Sequence, residues 1–241
     1  FAIFAVLAYS RLRKDNPILP SWKEILSNWR QVKLAYYFKF GFLISVDKNL
    51  SSLYGTLPIF ILGIFSLDQV SFFKIAVAYA GLPLILLSPI ARLLMVQLPK
   101  SKICSLANLR RDFIRSSLGS FLITLVVASG LFILAFILIP LVYGREYSSA
   151  IPLSYSLLAG SLVTSLGVGL SSVFRTLNLM KKVIAINAVL IVFGGGILYF
   201  FIRNYPINVS IYAVVAWLSL ATLVPFFYLL FKINKMIKKD N

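Results

Sequence analysis

The chain has 241 residues, of which 60% are hydrophobic and only 13% are charged, whereas soluble domains average about 45–50% and about 25%. This composition excludes an ordinary soluble or disordered protein and indicates an integral membrane protein. With no histidine and one cysteine, Cys104, the chain excludes an intrachain disulfide, a Ser/His/Asp triad and the usual zinc sites.

The N-terminal 40 residues differ from the rest. Residues 1–10 are apolar and precede a basic cluster, the reverse of the order in a signal peptide, so we interpret them as the end of a truncated transmembrane helix and the chain as a fragment. Residues 11–40 form a predicted cytoplasmic linker. Within it, Ser21–Phe40 has an apolar stripe at helical spacing, and Ser21 with Glu24 matches a capping box. The pattern predicts an amphipathic helix on the cytoplasmic membrane surface, with a soluble protein-binding helix as the alternative.

Six long apolar runs follow, each close to the roughly 20 residues that a membrane-spanning helix needs. They predict an all-α membrane protein with a six-helix transmembrane lobe over residues 41–231, followed by a basic cytoplasmic tail at 232–241. The short loops predict antiparallel neighbours. The predicted spans are Gly41–Phe65, Phe72–Val96, Ser117–Val142, Ile151–Phe174, Val183–Ile202 and Val209–Phe231.

Basic residues fix the expected orientation. Most of the 24 Lys and Arg residues fall in segments 11–39, 100–115, 175–182 and 232–239. The opposite set of loops holds only Lys74, Arg145 and Arg203. Because cytoplasmic loops carry the Lys and Arg excess, the sequence predicts a multi-pass protein of the cell membrane with its C-terminus in the cytoplasm. This distribution also explains the basic composition without a nucleic-acid partner.

Small residues and glycines mark two predicted spans. Ile151–Phe174 contains many Ser, Thr and Gly residues at four-residue spacing, a pattern that favours close helix packing and is also compatible with a polar cavity wall. The run Gly194–Gly196 lacks a phosphate-binding motif around it, so we interpret it as a packing or bending point.

Three charged residues lie deep inside predicted spans, where charge is costly and often functional. They are Asp47, Lys48 and Arg92. At about 1.5 Å per residue, Lys48 and Arg92 both lie about 25–30 Å from the outer loop between their spans. One interpretation is an Asp47–Arg92 ion pair, or an Arg92 that snorkels to the headgroups. The other is a substrate path in which Lys48 and Arg92 bind an anionic group such as a lipid pyrophosphate, while Asp47 tunes the pocket or binds a coupling cation.

The sequence shows no nucleotide-binding loop, no catalytic set and no metal-ligand cluster, so we expect a protein that is not an enzyme and has no cofactor. An amphipathic linker followed by six spans resembles the C-terminal lobe of polysaccharide-biosynthesis flippases, in the multidrug/oligosaccharidyl-lipid/polysaccharide exporter superfamily. Three stretches carry the resemblance: 57–94 (LPIFILGIFSLDQVSFFKIAVAYAGLPLILLSPIARLL), 141–178 (LVYGREYSSAIPLSYSLLAGSLVTSLGVGLSSVFRTLN) and 177–190 (LNLMKKVIAINAVL).

The resemblance implies two six-helix lobes around a central cavity and alternating access that moves a lipid-linked (polyprenyl pyrophosphate) oligosaccharide from the cytoplasmic to the outer leaflet. The expected partners are this lipid, the bilayer and a missing N-terminal lobe of the same chain. Three alternatives remain open: a multidrug exporter of the same superfamily, which would need an acidic cavity; a membrane-embedded glycan polymerase or ligase; and a non-transporting scaffold.

Overall fold

The computed structural model describes residues 11, 21, 24 and 34–240, and within this part of the chain all regular structure is helical. The predicted all-α class is therefore confirmed there. Between residues 34 and 240 the chain forms eight α-helices and one 3₁₀-helix. They are α1 (Leu34–Phe65), α2 (Leu67–Leu86), α3 (Ser88–Cys104), α4 (Leu106–Tyr143), the 3₁₀-helix Arg145–Ser149, α5 (Ala150–Ser165), α6 (Leu170–Thr176), α7 (Met180–Asn204) and α8 (Ile207–Asp240).

Five helical segments among the described residues are long and apolar enough to cross a membrane. Their surfaces expose large apolar side chains, including Val126 (74% exposed) and Val192 (72%). Soluble monomers rarely expose large continuous apolar patches, so this surface indicates a membrane protein. The five segments are Leu67–Leu86, Leu106–Tyr143, Arg145–Thr176, Met180–Asn204 and Ile207–Lys238.

Helix α1 contains the first predicted span but is not one of these five, although it is 32 residues long. Its N-terminal half carries Asp47, Lys48 and Asn49, and several Ser and Thr residues follow. These polar side chains lower the hydropathy of a segment whose length alone would suffice to span a bilayer.

Contacts divide the chain into a unit of Phe1–Phe42 and a unit of Leu43–Asn241. In the first unit, the Ser21 N–H donates to Glu24 Oε2 (2.6 Å) and the Glu24 N–H donates to Ser21 Oγ (3.1 Å), so the predicted capping box is confirmed. The end of a transmembrane helix predicted at 1–10 and most of the predicted amphipathic stripe lie outside the described residues. The described part of the linker, from Leu34 to Phe40, is helical and forms the beginning of α1.

Helix α5 is at the centre of the bundle. It packs against α2, α4 and α8, and in the segment Arg145–Thr176 56% of an apolar 18-residue stretch is buried, against 17–28% in the other four segments. Its small residues allow this packing. At Gly160, a Cβ atom would lie only 3.2 Å from Val215 Cγ1 of α8, so even alanine would require Val215 to shift by a few tenths of an ångström.

Two of the predicted spans are not the continuous helices that the sequence leads us to expect, but consist of two helices each. The span Phe72–Val96 consists of α2 and α3, which meet at Leu87 just before Pro89. Proline cannot donate a backbone hydrogen bond, and the residues before it are restricted as well, so the helix ends there and a new one begins. The span Ile151–Phe174 consists of α5 and α6, separated by a turn.

Helix α8 extends beyond the predicted span end at Phe231 and continues to Asp240. Most of the predicted tail 232–241 is therefore helical. Helices α7 and α8 cross closely because Gly194 has no side chain: a Cβ atom there would lie 2.0 Å from Trp217 Nε1. The predicted packing role of the glycine run is thus confirmed at Gly194.

The basic segments of the second unit meet at one end of the bundle. Lys102 Nζ donates to the Thr176 carbonyl (2.8 Å), which joins the α3–α4 turn to the end of α6. The rings of Phe174 and Tyr228 stack with centroids 6.3 Å apart, which joins α6 to α8. Segments 100–115, 175–182 and 232–238 therefore form one basic end, a charge asymmetry of the kind that orients membrane proteins.

Candidate functional site

A cavity of about 350 Å³ lies where α1, α5, α6, α7 and α8 converge. Arg175 and the two lysines that follow Met180 are close to it along the chain, so the cavity lies in the half of the bundle nearer the basic end. Its wall is mainly apolar, with polar groups from seven residues. The polar lining residues are Asp47, Ser51, Tyr54, Thr164, Ser171, Asn187 and Thr222.

Asp47 is the acidic group of this cavity and is only 7% exposed. Its side chain comes from the inner face of α1, two turns before Tyr54 on the same face. Asn187 Nδ2 of α7 donates to Asp47 Oδ1 at 3.4 Å, a long and therefore weak bond. The positive charge of Arg175 acts on the Asp47 carboxylate at longer range, and the two form no ion pair among the described residues. A buried carboxylate with so little compensation is suited to bind a cation or a proton.

Asn187 connects the carboxylate to the rest of the bundle. Its backbone carbonyl and Oδ1 lie 3.3 and 3.4 Å from the Tyr54 hydroxyl, which donates to them. The Tyr54 ring contacts Trp217, with centroids 4.9 Å apart, and Trp217 Nε1 donates to the Leu190 carbonyl at 3.1 Å. One chain of contacts therefore joins α1, α7 and α8 beside the cavity.

The turn between α5 and α6 forms another wall. The N–H groups of Leu166, Gly167 and Val168 donate to carbonyls three residues earlier, at 3.0–3.3 Å, so the helix tightens into 3₁₀-type turns. Gly167 is required for this geometry against α8, because a Cβ atom would lie 2.9 Å from Thr222 Cγ2. The predicted close packing and the predicted polar wall thus both occur in this segment, at different residues.

The three residues predicted for the substrate path do not lie together at this cavity. Asp47 lines it, whereas Lys48 and Arg92 are exposed and are not among its lining residues. No ion pair between Asp47 and Arg92 is formed within residues 34–240, so the predicted pair is absent there, while the snorkelling of Arg92 stays a prediction. The role of Lys48 and Arg92 in a substrate path remains a prediction.

Two residues of the site were not identified from the sequence. Asn187 is the single amide inside the apolar run Val183–Ile202. A lone polar residue in a predicted span is a signal by which the sequence could have identified it. Arg175 was assigned to a basic loop. Arg175 is half-buried, and its buried Nε has no hydrogen-bond partner among the described residues. This burial results from the position of the end of α6 in the bundle, which no pattern in the sequence indicates.

Comparison of the chain with protein-family models, curated proteins and solved structures found no match.

Proposed function

We propose that this chain is one lobe of a membrane transporter that moves a lipid-linked oligosaccharide to the outer leaflet by alternating access. The observation that carries the proposal is an exposed polar face on α1. This face consists of Ser45, Lys48, Asn49, Ser52 and Thr56, which are all exposed and lie on one side of the helix, three, four, seven and eleven residues after Ser45. The opposite face of α1, with Tyr54 and Leu62, is buried against the bundle.

Lipid cannot cover this polar face at low cost. Asn49, Ser52 and Thr56 each donate to a carbonyl of α1 itself, but the Lys48 ammonium group has no partner among the described residues. An unpaired charge in hydrocarbon is costly, so polar faces of this kind border water or another part of the protein. We infer that α1 is a sixth span and that its polar face lines an aqueous path between this lobe and a second one.

The substrate class follows from the charge of that face. A pyrophosphate and its sugars are too polar for hydrocarbon and need an aqueous path, while a polyprenyl tail can stay in lipid. Lys48 supplies a cation on this path, and Arg92 is assigned to the same role because guanidinium groups bind phosphate in a bidentate manner. We assign Asp47 and its cavity to a coupling cation. The proposal includes three further points. The chain is related to the polysaccharide-biosynthesis flippases that it resembles, it lies in the cell membrane, and its C-terminus is in the cytoplasm.

The test is an outer-leaflet accessibility assay in cells that lack or express the protein. Lipid-linked oligosaccharide is quantified with a membrane-impermeant probe, for wild type and for Lys48→Ala/Arg92→Ala. We expect deletion to abolish the signal and the double substitution to reduce it about tenfold or more, the scale on which lost charge-assisted contacts act. Lys74→Ala/Arg203→Ala, which removes two cations from the predicted outer side of the protein, is the matched control.

The possible results of this assay test the proposed function and the proposed site residues separately. Unchanged accessibility after deletion contradicts the flippase function. A loss on deletion with a normal double variant contradicts the assignment of Lys48 and Arg92 only.

One observation favours a second candidate, a multidrug exporter. Asp47 is the only charged residue among those that line the cavity, and an acidic cavity suits cationic substrates. The same cells distinguish the two functions. If they extrude a cationic dye in a manner that Asp47→Asn abolishes, while the oligosaccharide signal is independent of the protein, the exporter replaces the flippase.

A further inference from the structure

A groove separate from the Asp47 cavity lies at the basic end of the bundle, between the start of α4 and the end of α8. Its volume is about 540 Å³, within the range of small-ligand sites. One face of α8 supplies most of it. The lining residues are Arg110, Phe231, Asn234, Lys235, Ile237 and Lys238.

The charged part of the groove is purely basic. Arg110, Lys235 and Lys238 supply three cations, Asn234 adds an amide, and none of the lining residues is acidic. The nearest acidic residue along α4 is already engaged: Asp112 accepts a 2.7 Å hydrogen bond from Ser101 Oγ, and its Oδ1 lies 3.7 Å from Arg111 Nε. The three cations of the groove therefore have no counter-charge from its own walls.

The apolar lining residues of the groove are Phe231 and Ile237. Phe231 is one helical turn before Lys235, towards the middle of the bundle, and is 68% exposed. Deeper still, the rings of Phe113 and Phe226 close the contact between α4 and α8, with centroids 5.3 Å apart. The groove therefore has positive charge at the end of two membrane helices and apolar surface beside it. These two features are complementary to an amphiphile with an anionic head and a hydrocarbon tail.

We propose that this groove binds an anionic phospholipid, with the phosphate of its headgroup between Arg110, Lys235 and Lys238 and an acyl chain along Phe231. Basic pockets between membrane helices bind anionic headgroups, and the planar guanidinium group of Arg110 suits two phosphate oxygens at once. A free phosphate would use only the charged part of the groove. The inference depends on the membrane location of the helices and not on the transported substrate.

Native mass spectrometry of the intact purified protein tests the proposal. Dioleoylphosphatidylglycerol and dioleoylphosphatidylcholine are added at equal concentration, and bound lipid is counted. Phosphatidylglycerol should bind in clear excess, and Lys235→Gln alone should lower its affinity about fivefold, the effect expected for one basic residue near an anionic surface. Arg110→Gln/Lys235→Gln/Lys238→Gln should remove the excess.

The matched control is Lys100→Gln/Lys181→Gln/Lys182→Gln, which removes three exposed cations from the same end of the bundle without touching the groove. It should bind phosphatidylglycerol as the wild type does. Equal binding of the two lipids, an unchanged groove variant, or an equal loss in the control would each overturn the proposal. So would complete displacement of the lipid by millimolar inorganic phosphate, because the site would then recognise a free anion only.

Discussion

At the residue scale, the packing of the helices depends on a few glycines at close crossings and on a few side chains that hydrogen-bond to a backbone carbonyl of another helix. Tyr79 of α2 donates its hydroxyl hydrogen to the Leu131 carbonyl of α4 at 2.7 Å, and Ser172 of α6 donates to the Leu94 carbonyl of α3 at 3.1 Å. Such bonds fix neighbouring helices against one another where the hydrophobic effect cannot, since lipid is as apolar as the side chains.

Gly194→Ala should destabilise the protein by about 1–3 kcal/mol, the usual cost of forcing a group into a packed core. The added methyl group would overlap Trp217, whose indole N–H holds the Leu190 carbonyl, so α7 and α8 would have to separate. The measurement is the free energy of unfolding of the purified protein in detergent. Gly196→Ala is the control, because nothing lies within 4 Å of its added Cβ and alanine favours a helix. Equal stability of the two variants would show that the crossing is not tight at Gly194.

At the element scale, α1 differs from the other long helices because it has two polar features on different faces. Asp47 points into the bundle, while Lys48 and the Ser and Thr residues that follow are exposed. Helical periodicity places successive residues about 100° apart, so adjacent charges in the sequence serve different sites. This is why a pocket combining Asp47 with Lys48 is not formed.

The polar face of α1 should be in contact with water in the membrane-embedded protein. In a Cys104→Ser background, Ser52→Cys and Thr56→Cys should react with a hydrophilic thiol reagent much faster than Val126→Cys or Val192→Cys. The last two positions are also exposed but lie on apolar surfaces of α4 and α7. The rates are measured in intact membranes, where lipid shields apolar positions from the reagent. Similar slow rates at all four positions would contradict an aqueous path along α1.

At the scale of the whole molecule, the unit Leu43–Asn241 is a bundle around α5 with most of its described basic residues at one end. Loops far apart in sequence reach that end through contacts such as Lys102 with Thr176 and the ring stack of Phe174 with Tyr228. A strongly asymmetric bundle has one favoured orientation in a membrane, because Lys and Arg are retained on the cytoplasmic side.

The native cysteine reports this orientation directly. Cys104 is exposed at the basic end, in the α3–α4 connection. An impermeant maleimide should label it in inside-out vesicles and not in right-side-out vesicles. Ser149→Cys in a Cys104→Ser background lies in the 3₁₀ segment that follows α4 and should give the opposite result. Labelling of Cys104 from the outside would contradict a cytoplasmic basic end.

The sequence by itself determined the helical class, the membrane location and five of the long apolar helices, because hydrophobic length and composition are local properties. It also determined the Ser21–Glu24 capping box, which depends on two residues three positions apart. Only the tertiary structure decided which charges meet. Asp47 accepts a hydrogen bond from Asn187 and is influenced at longer range by the charge of Arg175, both more than 120 residues later in the chain, and it forms no ion pair with Arg92 at a similar predicted depth. Depth along a helix follows from residue counting, but the face that a side chain presents, and the helix that covers it, are set by packing of the whole bundle.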